Sequence, residues 1–255
     1  MINVLIVIYN STIKNSETYR TIKDYKNINI IICDNSTKDY GNLEYAKGIT
    51  NITYLNMGGN VGLSKAYNEG LKLIEKNNQD IVCLFDDDSI IPENYFEIIS
   101  QKAKNLDTKM FMPLVYDQMG LMSPNLMIGN YLHRAKSTNH NIKELSAINS
   151  GLVIRTDVFK NYSYDENLFL DCVDHNFIRD MRKKDVKMEV VEEIKLEQNF
   201  SSFTDNQKSA EIRFQIFKKD LKYFYKDSYY YYLYIIARHR LRLCLTYKTF
   251  KFFYL

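Results

Sequence analysis

The sequence predicts an α/β fold, a mainly parallel sheet flanked by helices, with a helical C-terminal extension. Three observations lead there. Apolar, strand-like runs alternate with helix-like segments over the first ninety residues. Two of those runs end directly in an aspartate, Asp34 and Asp86. The last fifty residues are helical in pattern and rich in Lys, Arg and Tyr.

Val4–Tyr9 is an unbroken apolar run, the pattern of a strand buried on both faces. Ile28–Cys33 is a second, Ile52–Leu55 a short third and Ile81–Phe85 a fourth. Between the last two, Leu63, Ala66, Tyr67, Gly70, Leu71 and Ile74 recur at helical spacing and define one apolar face. Thr12–Tyr25 and Asp39–Lys47 carry weaker helical patterns. Further on, Met110–Tyr116 and Ala147–Ile154 read as strands, Asp174–Lys184 as a helix and Lys187–Val191 as a short strand. Sheets of this kind bind ligands beyond the carboxyl ends of their strands. Asn10, Asp34 and Asp86 all fall at such ends.

Charge divides the chain into residues 1–205 and a basic extension, 206–255. The extension has eleven Lys and Arg against three Asp and Glu, a net +8 within a total of +3. That asymmetry suits an anionic surface, either membrane or nucleic acid. The stretch Tyr229–Arg242 joins tyrosines to arginines, which fits a membrane interface or stacking on single strands. Packing of the tyrosines against the domain is the alternative. Cys33, Cys83, Cys172 and Cys244 form no CxxC pair, so neither zinc nor a disulfide framework is indicated. The N-terminal run is read as a strand and not a signal peptide, and no run reaches the length of a membrane span.

Several residues could carry chemistry. Asp86-Asp87-Asp88 follows a strand, and alternate residues there point the same way, so Asp86 and Asp88 can share a ligand. Hard oxygen donors suit Mg²⁺ or Mn²⁺; a solvated turn is the alternative. Asn60-Val61-Gly62-Leu63-Ser64 opens a helix, whose N-terminus attracts a diphosphate or is simply capped by Asn60 or Ser64. Asp34 can accept from a base or ribose, or form an Asx-turn. Asp171 and Asp174 sit among apolar neighbours and suit a general base or a helix N-cap.

Taken in order, these pieces resemble the family-2 glycosyltransferases with the Rossmann-like GT-A fold, especially their rhamnosyltransferase-like branch of bacterial polysaccharide synthesis. The resemblance runs from about residue 2 to 200. It rests on the strand ending Ile8-Tyr9-Asn10, on Asp34, on Asn60-Val61-Gly62-Leu63-Ser64-Lys65-Ala66-Tyr67-Asn68-Glu69-Gly70 (the family's NxGxxxAxNxG), and on Leu84-Phe85-Asp86-Asp87-Asp88-Ser89 (strand plus DxD). Asn149-Ser150-Gly151 and Phe169-Leu170-Asp171-Cys172-Val173-Asp174 complete it.

The resemblance implies an inverting transfer from a UDP- or dTDP-activated sugar to a glycan or lipid-linked oligosaccharide at the cytoplasmic face of the membrane. It places Tyr9, Asn10, Asp34, Asn60, Gly62, Lys65 and Asp87 at the nucleotide, and Asp86 and Asp88 at the metal. Ser150, Gly151 and Asp171 fall beside the acceptor, with Asp174 as the base. The expected partners include no nucleic acid, the tail giving a peripheral membrane contact; a homo-oligomer is compatible. Two positions depart from the family pattern: Asn176, where an acidic residue is usual, and Gln198, where a His is frequent. They favour the rival reading of an inactive sugar-nucleotide or membrane-binding subunit. A nucleotidyltransferase, the other rival, would show a glycine-rich basic loop after the first strand, and Ser11-Thr12-Ile13-Lys14 has no glycine.

Overall fold

The computed structural model describes residues 1–129, 131–198 and 206–255. Its strands and helices begin with β1 (Ile2–Ile8), α1 (Glu17–Ile22), β2 (Ile28–Asp34), α2 (Asn42–Ala46), β3 (Ile52–Asn56), α3 (Leu63–Lys72), β4 (Ile81–Asp86), β5 (Ser89–Ile90) and α4 (Tyr95–Lys102). The middle of the chain gives β6 (Met110–Asp117), β7 (Gly120–Ser123), β8 (Asn125–Ile128), β9 (Tyr131–His133), β10 (Leu145–Ser146) and β11 (Val153–Arg155). The chain ends with α5 (Val173–Lys183), β12 (Met188–Gln198), α6 (Gln207–Phe224), α7 (Tyr229–Tyr247) and α8 (Lys251–Tyr254).

The main sheet has the order β3-β2-β1-β4-β11-β6-β12-β5, with β7 paired to β6. β3, β2, β1 and β4 run parallel, as does the pair β6–β12. β11 is antiparallel to its neighbours β4 and β6. Strands β10, β8 and β9 form a small antiparallel sheet of their own. The register sets Ile8 opposite Asp34 and Val7 opposite Asp86, so the carboxyl ends of β1, β2 and β4 meet at one edge. Gln198, the last residue of β12, reaches that edge opposite Ser89.

Strand alternation divides the apolar side chains between two cores. Val4, Ile6, Ile30, Ile32 and Phe85 face Tyr19 and Ile22 of α1 and Phe96 and Ile99 of α4. Leu5, Ile31, Cys33 and Leu84 face Tyr67 and Leu71 of α3, and the same core takes in Phe177, Phe214, Leu221 and Phe252. Each such large side chain, fully buried, contributes about 1.5–3 kcal/mol. The C-terminal helices therefore share a core with the sheet. The division expected between 205 and 206 adjoins residues 199–205, which lie outside the described residues. In α7 only Ile236 and Cys244 are buried. Among the described residues no helix is long and apolar enough to cross a membrane.

Three elements differ from the pattern reading. Ala147–Ile154 is not one strand: a turn closed by Leu152 N–H donating to the Asn149 carbonyl (2.9 Å) interrupts it. The strand read over Lys187–Val191 continues to Gln198, because its register shifts between Val191 and Lys195. That shift rephases the buried positions to Ile194, Leu196 and Gln198. α1 is shorter than Thr12–Tyr25 because Ser16 caps it, accepting from Tyr19 N–H at 3.1 Å.

Candidate active site

β4 delivers Asp86 to the sheet edge as its last residue. Ser150 Oγ donates to Asp86 Oδ2 at 2.5 Å. Gln198 Nε2 donates to Asp86 Oδ2 at 3.2 Å and to Asp88 Oδ1 at 3.1 Å. Asp86 and Asp88 thus share one partner, as their alternation implied, while Asp87 lies between them. Two hydroxyls from α1 and its cap hold the backbone of the triplet. Thr18 Oγ1 donates to the Asp86 carbonyl (2.5 Å) and Ser16 Oγ to the Asp87 carbonyl (2.9 Å). Sequence reasoning missed Ser16, Thr18 and the role of Ser150. A cap before a short helix was visible at Ser16, but nothing local links it to residue 87.

The triplet is half-buried and lacks countercharge. Burial raises the Asp86 pKa; hydrogen bonds from Ser150 and Gln198 oppose the rise and the Asp174 charge adds to it. Burial, then the charges of Asp88 and Asp86, push Asp87 up to about 7. Burial, then Asp86, push Asp88 to about 6. Among the described residues no Lys or Arg pairs with any of the three. Nor do three His, Cys, Asp or Glu converge as a ready metal cage. The donor set still fits a hard cation. Two carboxylates converge on the Gln198 amide, whose Oε1 is buried without a partner. Turning that amide over exchanges a donor for a third oxygen.

The side expected to take the nucleotide is stitched from three loops. Asn10, at φ 50°, accepts from Thr37 N–H (2.9 Å) and Thr37 Oγ1 (3.0 Å). Asn35 Oδ1 accepts from Val61 N–H (2.9 Å), and Asn35 Nδ2 donates to Asn60 Oδ1 (3.1 Å). Asp34 is buried and fully engaged. It accepts from Ser36 N–H (3.0 Å), the Asx-turn geometry, and from Asn42 Nδ2 and Tyr54 OH (2.8 Å each). Its carboxylate braces the loop. Tyr9 is half-exposed and Lys65 exposed. No side chain caps α3, contrary to the capping alternative for Asn60 or Ser64. Gly62 precedes the helix at φ 88°, where a Cβ would lie 2.7 Å from the Phe169 ring and 2.8 Å from its carbonyl. Leu63 N–H donates to that carbonyl at 2.6 Å.

On the facing side Gly151 adopts φ 79°, and a Cβ there would meet Leu196 at 2.1 Å. Tyr95 OH donates to its carbonyl at 2.8 Å. Ser150, expected beside the acceptor, faces Asp86. Asp171 carries a bidentate pair with Arg213 of α6. Asp174 lies in the first turn of α5, its Oδ1 accepting from His175 N–H (2.7 Å). The cap position is Cys172, at φ 61°, without a side-chain cap, so neither Asp171 nor Asp174 serves as N-cap. Asp86 and Asp174 both raise the pKa of the buried Tyr67 hydroxyl, behind burial itself. Asn176 is turned away: Arg179 donates to its Oδ1 (2.6 Å) and its Nδ2 donates to Asp180 (3.2 Å).

An acidic strand end, an uncapped helix N-terminus beside it and a further carboxylate across from both is an arrangement suited to a sugar diphosphate and an attacking hydroxyl. Residues 3–162 match the model of glycosyl transferase family 2. The chain belongs to this family. It is 24% identical over 201 residues to dTDP-rhamnosyl transferase RfbF of Shigella flexneri, covering 76% of this chain and 68% of that protein. Among solved structures, TarS 1-349 of S. aureus superposes with a TM-score of 0.58 at 17% identity, over 89% of this chain and 72% of that one. GalNAc-T7, solved with UDP, GalNAc and Mn²⁺, gives 0.61 at 15% identity, over 78% and 44%. These two likenesses establish the fold, which is GT-A. The chain is a nucleotide-sugar glycosyltransferase, as the resemblance implied.

Proposed function

We propose that this glycosyltransferase moves a sugar such as rhamnose or galactose from a UDP- or dTDP-activated donor to a hydroxyl of a growing bacterial surface glycan, with inversion. The observation that carries this reading is the pair Asp86 and Asp88 converging on Gln198, with the Asp174 charge felt at Asp86. The donor class is supported by the names of relatives: RfbF is a dTDP-rhamnosyl transferase, and TarS has been solved with UDP-GlcNAc. Asp86 and Asp88, with Gln198 Oε1 turned inward, would hold Mn²⁺ or Mg²⁺, which when bound neutralises charge on the diphosphate.

The N-terminus of α3 faces the same developing charge. Asn10 and Asn60, braced by Asp34, shape the nucleotide side together with Tyr9, Lys65 and Asp87, and Ser150 fixes the rotamer of Asp86. The acceptor oxygen attacks the anomeric carbon while the bond to the diphosphate oxygen breaks, the diphosphate leaving with the electron pair. The acceptor proton passes to Asp174. One base opposite one leaving group gives a single displacement, hence inversion.

The acceptor is proposed to be lipid-linked, with the enzyme peripheral on the inner membrane face. α7 exposes Tyr230 (87%), Leu233 and Tyr234 beside Arg238 and Arg242, and the extension carries the +8 already noted. Asp174→Asn should lower transfer by about 10²–10⁴-fold while leaving the thermal shift caused by UDP with Mn²⁺ unchanged. Undiminished transfer would move the base elsewhere.

A further inference from the structure

Phe169, Leu170 and Asp171 present three successive backbone N–H groups that neither sheet nor helix engages. One side chain takes all three. Asp220 Oδ1 accepts from Phe169 N–H at 3.0 Å, and its Oδ2 accepts from Leu170 N–H (2.7 Å) and Asp171 N–H (2.9 Å). Asp220 is 0% exposed. A carboxylate is buried this deeply only where its lone pairs are satisfied, and here a loop backbone satisfies them.

Two more side chains of the same helix grip the same segment. Arg213 forks onto both oxygens of Asp171. Tyr223 OH donates to Asp165 Oδ2 (2.7 Å) and accepts from Asn167 Nδ2 (3.2 Å). Residues 213, 220 and 223 are spaced so that they share one face of α6.

The segment so held leads into the site at both ends. The Phe169 carbonyl is the acceptor for Leu63 N–H at the start of α3. One residue beyond Asp171 the chain turns through Cys172 in the left-handed region, and Asp174 follows in the first turn of α5. We propose that α6 is a splint for the acceptor side, in which Asp220, backed by Arg213, is a positioning residue that holds residues 169–171 and so sets where Asp174 stands. Asp220 itself is sealed from any acceptor and is not catalytic. The inference rests on the reading of Asp174 as the base, and it makes the C-terminal extension part of the transfer machinery.

Asp220→Asn keeps the shape and replaces one accepting oxygen with an NH₂ that opposes the loop N–H groups. Hydrogen exchange at the amides of Phe169, Leu170 and Asp171 should accelerate by about tenfold or more. Incorporation of label from dTDP-rhamnose or UDP-galactose into the extractable lipid of bacterial membranes should lose at least about tenfold in kcat, from misplacement of the base. KM for the donor and the thermal shift given by UDP with Mn²⁺ should stay put, which general loosening of the fold would not allow. Unchanged exchange, or unchanged kcat, overturns the proposal. If Asp220→Asn does not fold, Arg213→Ala removes the fork on Asp171 and should show the same kcat-specific loss, smaller in size; its absence is equally fatal. Asp174→Asn assayed alongside separates the two ideas. Full activity there counts against the base, whereas full activity in Asp220→Asn counts against the splint.

Discussion

Two acidic regions of the molecule are built in opposite ways. In the loop before α5, Asp171 is forked by Arg213 and Asp220 receives three backbone N–H groups. At the end of β4, Asp86, Asp87 and Asp88 have hydroxyl and amide partners but, among the described residues, no cation. Burial lifts all three pKa values, with added repulsion from Asp174 at Asp86 and from triplet neighbours at Asp87 and Asp88. A carboxylate whose charge is answered within the protein holds structure. One whose charge is left unanswered, on a stable strand end, is kept for something that arrives. The same residue type thus does framework work in one place and, on the function proposed above, ligand work in the other.

The sharpest break of this comparison is Asp86→Asn, or Asp88→Asn. Transfer should fall by about 10²–10³-fold, the cost of a lost electrostatic stabiliser. Metal-free thermal stability should not fall, since removing one of three repelling charges relieves the site. A melting temperature lowered by several degrees would mean that the triplet is framework after all. A smaller effect concerns the tail. Replacing Tyr230, Leu233 and Tyr234 together by Ser should weaken binding to phosphatidylglycerol vesicles by about tenfold in a sedimentation assay, with the fold intact because these side chains are exposed. Undiminished binding would return the tyrosines to a packing role.

The smallest effect is a pH dependence in the attachment of α7. His239 stacks on Phe217 and Phe214 of α6, with ring centroids 4.5 and 5.8 Å away. Burial, then the charges of Arg242 and Arg213, push its pKa down to about 4. The unfolded chain binds a proton near pH 6.5, so the stability from neutral His239 is complete above that pH. It is lost as the pH falls toward about 4. The melting temperature should drop between these values by more in the native protein than in His239→Phe. Parallel curves would remove the histidine from the account.

The strands bearing Asp34 and Asp86 were legible because both faces of them are buried, which writes an unbroken apolar run with a polar stop. α3 was legible through its single apolar stripe. The converging hydroxyls of Thr18 and Ser150 were not, since a hydroxyl that reaches a residue more than sixty positions away leaves no periodic trace. Asp34 shows a different limit. A strand-end aspartate reads the same whether it faces a ligand or, as here, Asn42 and Tyr54. Arg213 and Asp220 were hidden in a helix read only as part of a basic extension. α4 escaped notice altogether, although Tyr95, Phe96 and Ile99 bury its inner side.

On the function proposed above, the hydrogen bond from Leu63 to the Phe169 carbonyl ties the donor side to the acceptor side through one peptide group. With Asp220 behind that peptide, α3, the loop 169–171 and α6 are joined by consecutive hydrogen bonds. Such a linkage is preorganised: the orientation of the two substrates would be set before either binds, so less freedom is lost on the way to reaction. Its weak points are then matters of aim more than of affinity, and damage to the linkage should leave an enzyme that still fills its site but seldom fires.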